Sequence, residues 1–166
     1  EDGLARLAEI FCAPSLQMVS FTITEKGYAI RRPDGTIAPA VEEDMNGCPC
    51  CAKTFLARLT ALLYKRFKAG AYPLALVSMD NCSHNGDKLK AAIVAFAEGW
   101  VKNGVAEPEF EAYIKGAKVS FPWSMIDKIT PRPAAVVEQA LAEAGIEDMA
   151  PVITSRNTFI APFVNA

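Results

Sequence analysis

The sequence has 166 residues, of which 51% are hydrophobic and 22% are charged, and its formal net charge is −2. These values are typical of a globular domain with a sizeable core. The sequence lacks the basic stripe of most nucleic-acid-binding proteins, so we expect no nucleic-acid partner. The longest uncharged run, residues 10–24, is too short to span a bilayer, so we expect no membrane partner.

The first fifty residues predict a helix, a strand and a long insertion. Apolar residues recur at helical spacing from Leu4 to Phe11. Residues 16–24 are rich in β-branched and apolar side chains, which is typical of a strand, and a charged loop closed by Gly27 follows. Residues 31–50 show no regular pattern, so we expect an irregular insertion that covers or lines another part of the molecule.

The middle of the chain predicts a strand between two long helices. An apolar stripe runs from residue 52 to residue 67, and Gly70 stands just past its end as the expected C-cap. The short apolar run at residues 74–77 is typical of a strand buried on both faces, as in a parallel sheet. Apolar residues at helical spacing from 89 to 100 predict the next helix.

The last third continues the alternation. We predict a short helix at residues 109–114, a third strand at 117–121, a helix within 131–145 that prolines open and a glycine stops, and a short strand at 152–153. Strands that alternate with helices predict an α/β fold with a parallel sheet.

Polar loops follow three of the predicted strand regions, at residues 24–27, 80–86 and 124–128. Right-handed crossovers bring the carboxyl ends of parallel strands to one edge of the sheet. We therefore predict that the three loops line one crevice, at the edge where open α/β sheets bind their ligands.

Two side chains in these loops are candidates for catalysis. The amide of Asn81 can donate to a substrate oxygen or to a developing alkoxide, but it is equally suited to cap the next helix or close an Asx-turn. Asp127 can accept hydrogen bonds from sugar hydroxyls or orient a base. Its alternative role is an ion pair with Lys128 or a turn contact.

Charged residues and the single histidine leave further alternatives open. Glu25 and Lys26 can bind the ribose and phosphate of a cofactor, but they can also form an ordinary solvated loop. His84 can carry a proton, although a structural hydrogen bond in a tight turn is the more frequent role.

The five cysteines do not form an evident disulfide framework, because their number is odd and three of them crowd at positions 48, 50 and 51. We therefore expect reduced thiols. A structural zinc site usually combines a C-x-x-C pair with a second such pair elsewhere in the chain. That second pair is missing, so we expect no metal and no special role for Cys48, Cys50 and Cys51. No G-x-G-x-x-G, Walker A or G-x-S-x-G motif occurs.

Three segments in register resemble one known family. F-T-I-T-E-K-G-Y at 21–28, M-D-N-C-S-H-N-G at 79–86 and F-P-W-S-M-I-D-K-I-T-P at 121–131 resemble the long-chain mannitol dehydrogenase family. This family includes mannitol 2-dehydrogenases and the fructuronate and tagaturonate reductases, and the resemblance covers nearly the whole chain. Trp123 departs from it, because many members carry a small polar residue there.

The resemblance implies a cytoplasmic, metal-independent enzyme that uses NAD or NADP. Its substrate would be a sugar alcohol, keto-sugar or uronate. The resemblance implies that Asn81 polarises the reacting oxygen and that Asp127 lies near the nicotinamide and the substrate. It also implies a set of residues that border the cofactor: Thr24, Glu25, Lys26, Gly27, Asp80 and Ser124.

The resemblance also implies that residues 1–166 are the C-terminal half of a Rossmann-type, NAD(P)-binding domain. The glycine-rich pyrophosphate turn and the C-terminal helical domain with the family's catalytic lysine would then lie outside this chain. We expect the isolated chain to be inactive for that reason. Two alternatives are a non-catalytic binding domain on the same scaffold and a zinc or thiol module built on the cysteines.

Overall fold

A computed structural model describes residues 2–126, 134–147, 152–156 and 159–160. The chain divides into two units, Glu1–Ile126 and Asp127–Ala166. The first unit contains five α-helices and three strands. In chain order they are α1 (Asp2–Cys12), β1 (Met18–Phe21), α2 (Pro39–Asn46), α3 (Phe55–Gly70), β2 (Leu74–Ser78), α4 (Asn85–Lys102), α5 (Pro108–Lys115) and β3 (Val119–Ser120).

The three strands form a parallel sheet in the order β1-β2-β3. Met18 pairs with Ala75, and Leu74 pairs with Val119. The strands are separated by helices, which supply the crossovers that parallel pairing requires. The predicted α/β fold with a parallel sheet is therefore confirmed.

The two faces of the sheet differ in exposure. Leu74, Leu76 and Ser78 of β2 are buried, whereas the residues between them are only half-buried and Met18 of β1 is exposed. The sheet order places both crossovers in the same direction, and right-handed crossovers then put α3 and α4 on one face. In agreement, α3 packs against α4, and α4 packs against β2.

The hydrophobic core lies between these helices and the sheet. Large side chains from every one of the layers are fully buried there. The largest of them are Trp100, Phe96, Phe110, Leu63, Leu76, Leu89, Ile93 and Ile114.

The insertion at residues 31–50 is more regular than predicted, because residues 39–46 form the helix α2. Its short length hid it from the sequence pattern. The insertion does cover another element, since α2 packs on α4 and the indole N–H of Trp100 donates to the Asp44 carbonyl at 2.8 Å. The buried Asp44 carboxylate in turn accepts the backbone N–H groups of Lys53 and Thr54 at 2.9 and 2.8 Å, next to the start of α3.

A fully buried arginine joins α1, α3 and the start of β2. The Arg66 guanidinium donates to five backbone carbonyls at 2.6–3.0 Å, those of Phe11, Ala13, Leu16, Tyr72 and Pro73. All five N–H groups of the side chain have an acceptor, which makes burial of its charge tolerable. The predicted C-cap at Gly70 is off by one residue, because Ala71 takes the left-handed cap conformation with φ 50°.

The second unit contains α6 (Ala135–Glu143) and a two-stranded antiparallel sheet of β4 (Val152–Ile153) and β5 (Phe159–Ile160). Gly145, with φ +81°, follows the helix as predicted. The prolines expected to open α6 lie outside the described residues. In the described part of both units, no helix is long and apolar enough to cross a membrane.

Candidate functional site

The carboxyl ends of β1 and β2 are tied together by Asp80. This buried carboxylate lies two residues after the end of β2 and accepts the backbone N–H groups of Ile23 and Thr24 at 2.9 and 2.8 Å. The hydroxyl of Tyr28 donates to the same carboxylate and also contacts the hydroxyl of Ser78. The loop after β1 is therefore fixed to the loop after β2.

These contacts set the charge state of Asp80. Burial alone would raise its pKa, but the N–H of Ile23, the Tyr28 hydroxyl and the N–H of Thr24 stabilise the carboxylate and bring the pKa below its usual range. Burial and the adjacent carboxylate raise the pKa of Tyr28, so its hydroxyl stays protonated and keeps donating. The pair is ionised at Asp80 and neutral at Tyr28 at neutral pH.

Thr24 adopts a conformation that few threonines take. Its φ is 63° and its ψ is 162°, outside the regions favoured by a β-branched residue. The bond from its N–H to Asp80 helps to hold it there. A single 3₁₀ turn over Glu25–Tyr28 follows and returns Tyr28 to the interior.

A second buried polar residue, Asn85, joins the loop after β2 to the segment after β3. Its side-chain nitrogen lies 2.9 Å from both the Asp80 carbonyl and the Ser124 hydroxyl, and its side-chain oxygen accepts the Ser124 N–H at 3.1 Å. The Ser124 hydroxyl also donates to the Ser78 carbonyl. Sequence reasoning missed Asn85, because the apolar pattern that predicts this helix begins only at residue 89, whereas α4 begins at Asn85.

The glycine after Asn85 allows this contact. A Cβ atom on Gly86 would lie 2.3 Å from the Phe121 carbonyl oxygen and 2.9 Å from that of Pro122. Only a residue without a side chain lets the start of α4 approach the backbone after β3 this closely. Gly86 thus explains how Ser124 reaches Asn85.

Asn81 lies in the same loop, between Asp80 and Asn85, and it is exposed. Within the described part of the chain its side chain has no hydrogen-bond partner. The alternative role as a helix cap is not observed, because the N-cap of α4 is His84, which makes no side-chain cap bond. The amide of Asn81 is therefore available to a ligand at the carboxyl edge of the sheet.

His84 and Trp123 flank this loop. Their ring centroids are 4.2 Å apart, and both side chains are largely exposed. The imidazole Nδ1 lies 3.4 Å from a carboxylate oxygen of Asp87. His84 itself has φ 55°, so it occupies the tight turn that the sequence indicated.

The charged residues after β1 are arranged differently from one another. Glu25 accepts a hydrogen bond from the ammonium of Lys88 on α4 at 2.8 Å, and this contact lowers the pKa of Glu25. Lys26 is exposed. The Glu25–Lys88 pair borders a pocket of about 370 Å³ whose other walls come from the end of the 3₁₀ turn, the two residues after it and α4.

The three predicted loops therefore meet at one edge, as far as the structure describes them. Thr24 contacts Asp80, and Asn85 contacts Ser124. The other catalytic candidate, Asp127, and its neighbour Lys128 lie outside the described residues. The roles assigned to Asn81, Asp127 and the cofactor-bordering residues stay predictions.

The cysteine cluster differs from the expectation of free thiols. Cys48 and Cys50 form a disulfide across Pro49, whereas Cys12, Cys51 and Cys82 are free. The cause is local: a 3₁₀ turn over Pro49–Cys51 folds the chain back, so residues two apart bring their side chains together. The odd number of cysteines did not exclude one such short-range pair.

Curated relatives align with most of this chain. A D-mannonate oxidoreductase of Thermotoga maritima is 49% identical over 160 residues, which is 96% of this chain and 30% of the relative. A D-arabinitol 4-dehydrogenase of Klebsiella pneumoniae is 35% identical over 91% of this chain and 32% of its own length. The chain thus spans about 30% of the relatives that it matches.

Solved structures of two dehydrogenases are also similar to this chain. The Pseudomonas fluorescens mannitol 2-dehydrogenase, in a ternary complex with NAD and D-mannitol, superposes with a TM-score of 0.59 at 31% identity, over 98% of this chain and 31% of that one. A substrate-free D-sorbitol dehydrogenase gives a TM-score of 0.60 at 28% identity. The mannitol dehydrogenase Rossmann domain profile matches residues 1–160, so the chain belongs to the mannitol dehydrogenase family.

Proposed function

We propose that the protein containing this chain is an NAD(P)-dependent dehydrogenase of sugar acids or sugar alcohols. One observation carries the proposal. The unpartnered amide of Asn81 projects from a loop at the carboxyl edge of a parallel sheet, between the two buried hydrogen-bonded residues Asp80 and Asn85. This is the edge at which such sheets bind dinucleotides and their substrates.

The residues present fit one part of a dinucleotide. The carboxylate of Asp80 already accepts two N–H groups and a hydroxyl, so its charge is largely compensated. The nearby Asn81 is neutral and exposed, which suits an uncharged nicotinamide amide or a substrate hydroxyl. The sequence lacks G-x-G-x-x-G, so we assign this chain to the nicotinamide and ribose side of the cofactor, not to its pyrophosphate.

Bound NAD(P) supplies a nicotinamide that accepts or returns the hydride. In our proposal the Asn81 amide donates to the substrate oxygen and stabilises the negative charge that develops on it. Asp80 acts as a positioning residue, because it holds Thr24 and the loop after β1. Asp127 accepts hydrogen bonds from substrate hydroxyls. The general base that removes the hydroxyl proton comes from outside these 166 residues.

A six-carbon sugar acid is the substrate class that the comparisons favour. The chain is 49% identical to a D-mannonate oxidoreductase and 35% identical to a D-arabinitol 4-dehydrogenase. We therefore propose that the reaction interconverts an aldonate such as D-mannonate with its keto acid. We also propose a cytoplasmic location, since the nicotinamide pool is intracellular.

The test is an assay of the full-length protein with D-mannonate, D-mannitol and D-arabinitol, each with NAD⁺ and NADP⁺. We expect reduction of the nicotinamide, with a higher turnover on D-mannonate than on either polyol. Turnover that prefers either polyol would overturn the substrate assignment, and no turnover with any pair would overturn the dehydrogenase assignment. The isolated 166 residues serve as the negative control, because they lack the base.

A further inference from the structure

A compact group of sulfur atoms lies before α3. The Sγ atoms of Cys48, Cys50 and Cys51 all lie within 4.8 Å of one another. The Cys50 and Cys51 sulfurs are 3.7 Å apart. Cys48 is half-buried, and the other two are exposed. The proposed dehydrogenase chemistry uses none of them.

The backbone gathers these sulfurs. Pro49 opens the 3₁₀ turn of Pro49–Cys51, and the N–H of Cys51 donates to the Cys48 carbonyl at 2.9 Å. The Cys48 sulfur accepts the N–H of Cys50 at 3.1 Å.

The C-terminal end of the turn is anchored to buried structure. Two residues after Cys51, the N–H of Lys53 donates to the Asp44 carboxylate, and the N–H of Thr54 does the same. Asp44 is itself buried, and its carbonyl accepts the Trp100 indole N–H. The sulfurs therefore project from a turn whose C-terminal end is fixed to the core.

We propose that Cys48, Cys50 and Cys51, when reduced, form a three-thiolate zinc site. A tetrahedral zinc ion with Zn–S bonds near 2.3 Å separates its sulfur ligands by about 3.8 Å. The Cys50–Cys51 spacing has this value, 3.7 Å, while Cys50 is still bonded to Cys48, so it is the Cys48 sulfur that must move away once the disulfide opens. Three sulfurs occupy one face of the tetrahedron, and the exposure of Cys50 and Cys51 leaves the fourth position to water.

The disulfide between Cys48 and Cys50 must open before zinc binds. A phosphine reductant breaks the S–S bond. The phosphorus gives up two electrons and, with one water molecule, becomes a phosphine oxide, while the two sulfurs become thiols. Zinc then displaces one proton from each of three thiols, so binding releases three protons and weakens as the pH falls. Oxidation and zinc binding are mutually exclusive at this turn.

The experiment uses the full-length protein, reduced with a phosphine, stripped with a chelator and loaded with Zn²⁺. Metal content after desalting is measured by mass spectrometry for the wild type, Cys51→Ser and the matched control Cys82→Ser. Cys82 is also a free thiol, but it lies outside the cluster. We expect the wild type and Cys82→Ser to hold one zinc per chain more than Cys51→Ser.

Cobalt gives a second readout that needs no variant. Co²⁺ added to the reduced wild type should produce sulfur-to-cobalt charge-transfer absorption and a visible band typical of tetrahedral coordination. Equal zinc content in wild type and Cys51→Ser would overturn the proposal, and so would a cobalt spectrum of octahedral type. Dehydrogenase turnover enters neither measurement, so this result is independent of the proposed function.

Discussion

Replacement of Asp80 by asparagine tests how the two loops of the candidate site are held together. The wild-type carboxylate accepts the N–H groups of Ile23 and Thr24 and the Tyr28 hydroxyl. An asparagine keeps one oxygen acceptor but places an NH₂ group where the second oxygen was. At least one of the three donors then faces another donor in a buried position.

The cost follows from these contacts. A hydrogen bond to a charged group contributes about 1.5–3 kcal/mol, and a buried donor left without an acceptor costs about 1–3 kcal/mol. The remaining hydrogen bonds of Asp80→Asn persist but lose their charge assistance. We therefore expect the substitution to lower the free energy of opening this loop by about 3 kcal/mol in total. That value corresponds to roughly 150-fold in an opening equilibrium.

Hydrogen exchange followed by mass spectrometry measures this opening in the full-length protein. Peptides that contain Ile23 and Thr24 should exchange roughly 150-fold faster in Asp80→Asn. The matched control is Asp34→Asn, which also removes a carboxylate bonded to a backbone N–H, that of Thr36, but at an exposed turn. Unchanged protection of the Ile23 and Thr24 peptides would refute the assignment of Asp80 as the residue that fixes this loop.

The pH dependence of the same comparison has a definite sign. The pKa of Asp80 is lowered in the folded protein, so its contribution is complete above the unfolded value of about 3.9 and is lost as the pH falls through the folded pKa. Protonated aspartic acid resembles asparagine in its hydrogen bonding. The difference in loop protection between wild type and Asp80→Asn should therefore be constant near neutral pH. It should shrink as the pH falls below about 4.

Substitutions at three further positions separate catalysis from stability. In the full-length protein, Asn81→Ala and Asn81→Asp should each lower kcat by about 100- to 1000-fold with an unchanged melting temperature, and a near-normal kcat in the Asp variant would contradict the oxyanion role. Gly86→Ala should destabilise the protein by about 1–3 kcal/mol in urea unfolding because its Cβ meets the Phe121 carbonyl, whereas Gly3→Ala, with open space around it, should not. Arg66→Lys should lower the free energy of unfolding by about 3 kcal/mol or more, because a lysine has three donors for five buried carbonyls, and a loss below about 1 kcal/mol would contradict this account.

The fold was predictable from the sequence because its signals are local and periodic. The apolar run at residues 74–77 became β2, and the stripes at 52–67 and 89–100 became α3 and α4. Convergence of the loops then followed from one topological rule, that carboxyl ends of parallel strands share an edge. The helix α2 was not predicted, because eight residues with few apolar positions show too little helical periodicity.

The polar framework of the site was not predictable in the same way. Asn85 and Arg66 have partners that are distant in sequence: Ser124 lies 39 residues from Asn85, and Phe11 lies 55 residues from Arg66. A hydrogen bond between such residues leaves no periodic signal. Gly86 shows how far the sequence can mislead. An Asn-Gly pair is typical of a turn, whereas in the structure a glycine is required here because the Phe121 backbone lies too close for a Cβ atom.

The buried polar residues explain why a loop can present an unpartnered amide in a fixed position. Asp80 and Asn85 flank Asn81 in sequence. Asp80 accepts hydrogen bonds from the loop after β1, and Asn85 is hydrogen-bonded to Ser124. Their satisfied side chains anchor the loop before and after the exposed residue. Such anchoring suits an oxyanion donor, because the donor must not reorganise during the reaction. It follows that Asp80→Asn and Asn81→Ala should differ in kind. The first should lower the protection of the loop together with kcat, and the second should lower kcat alone.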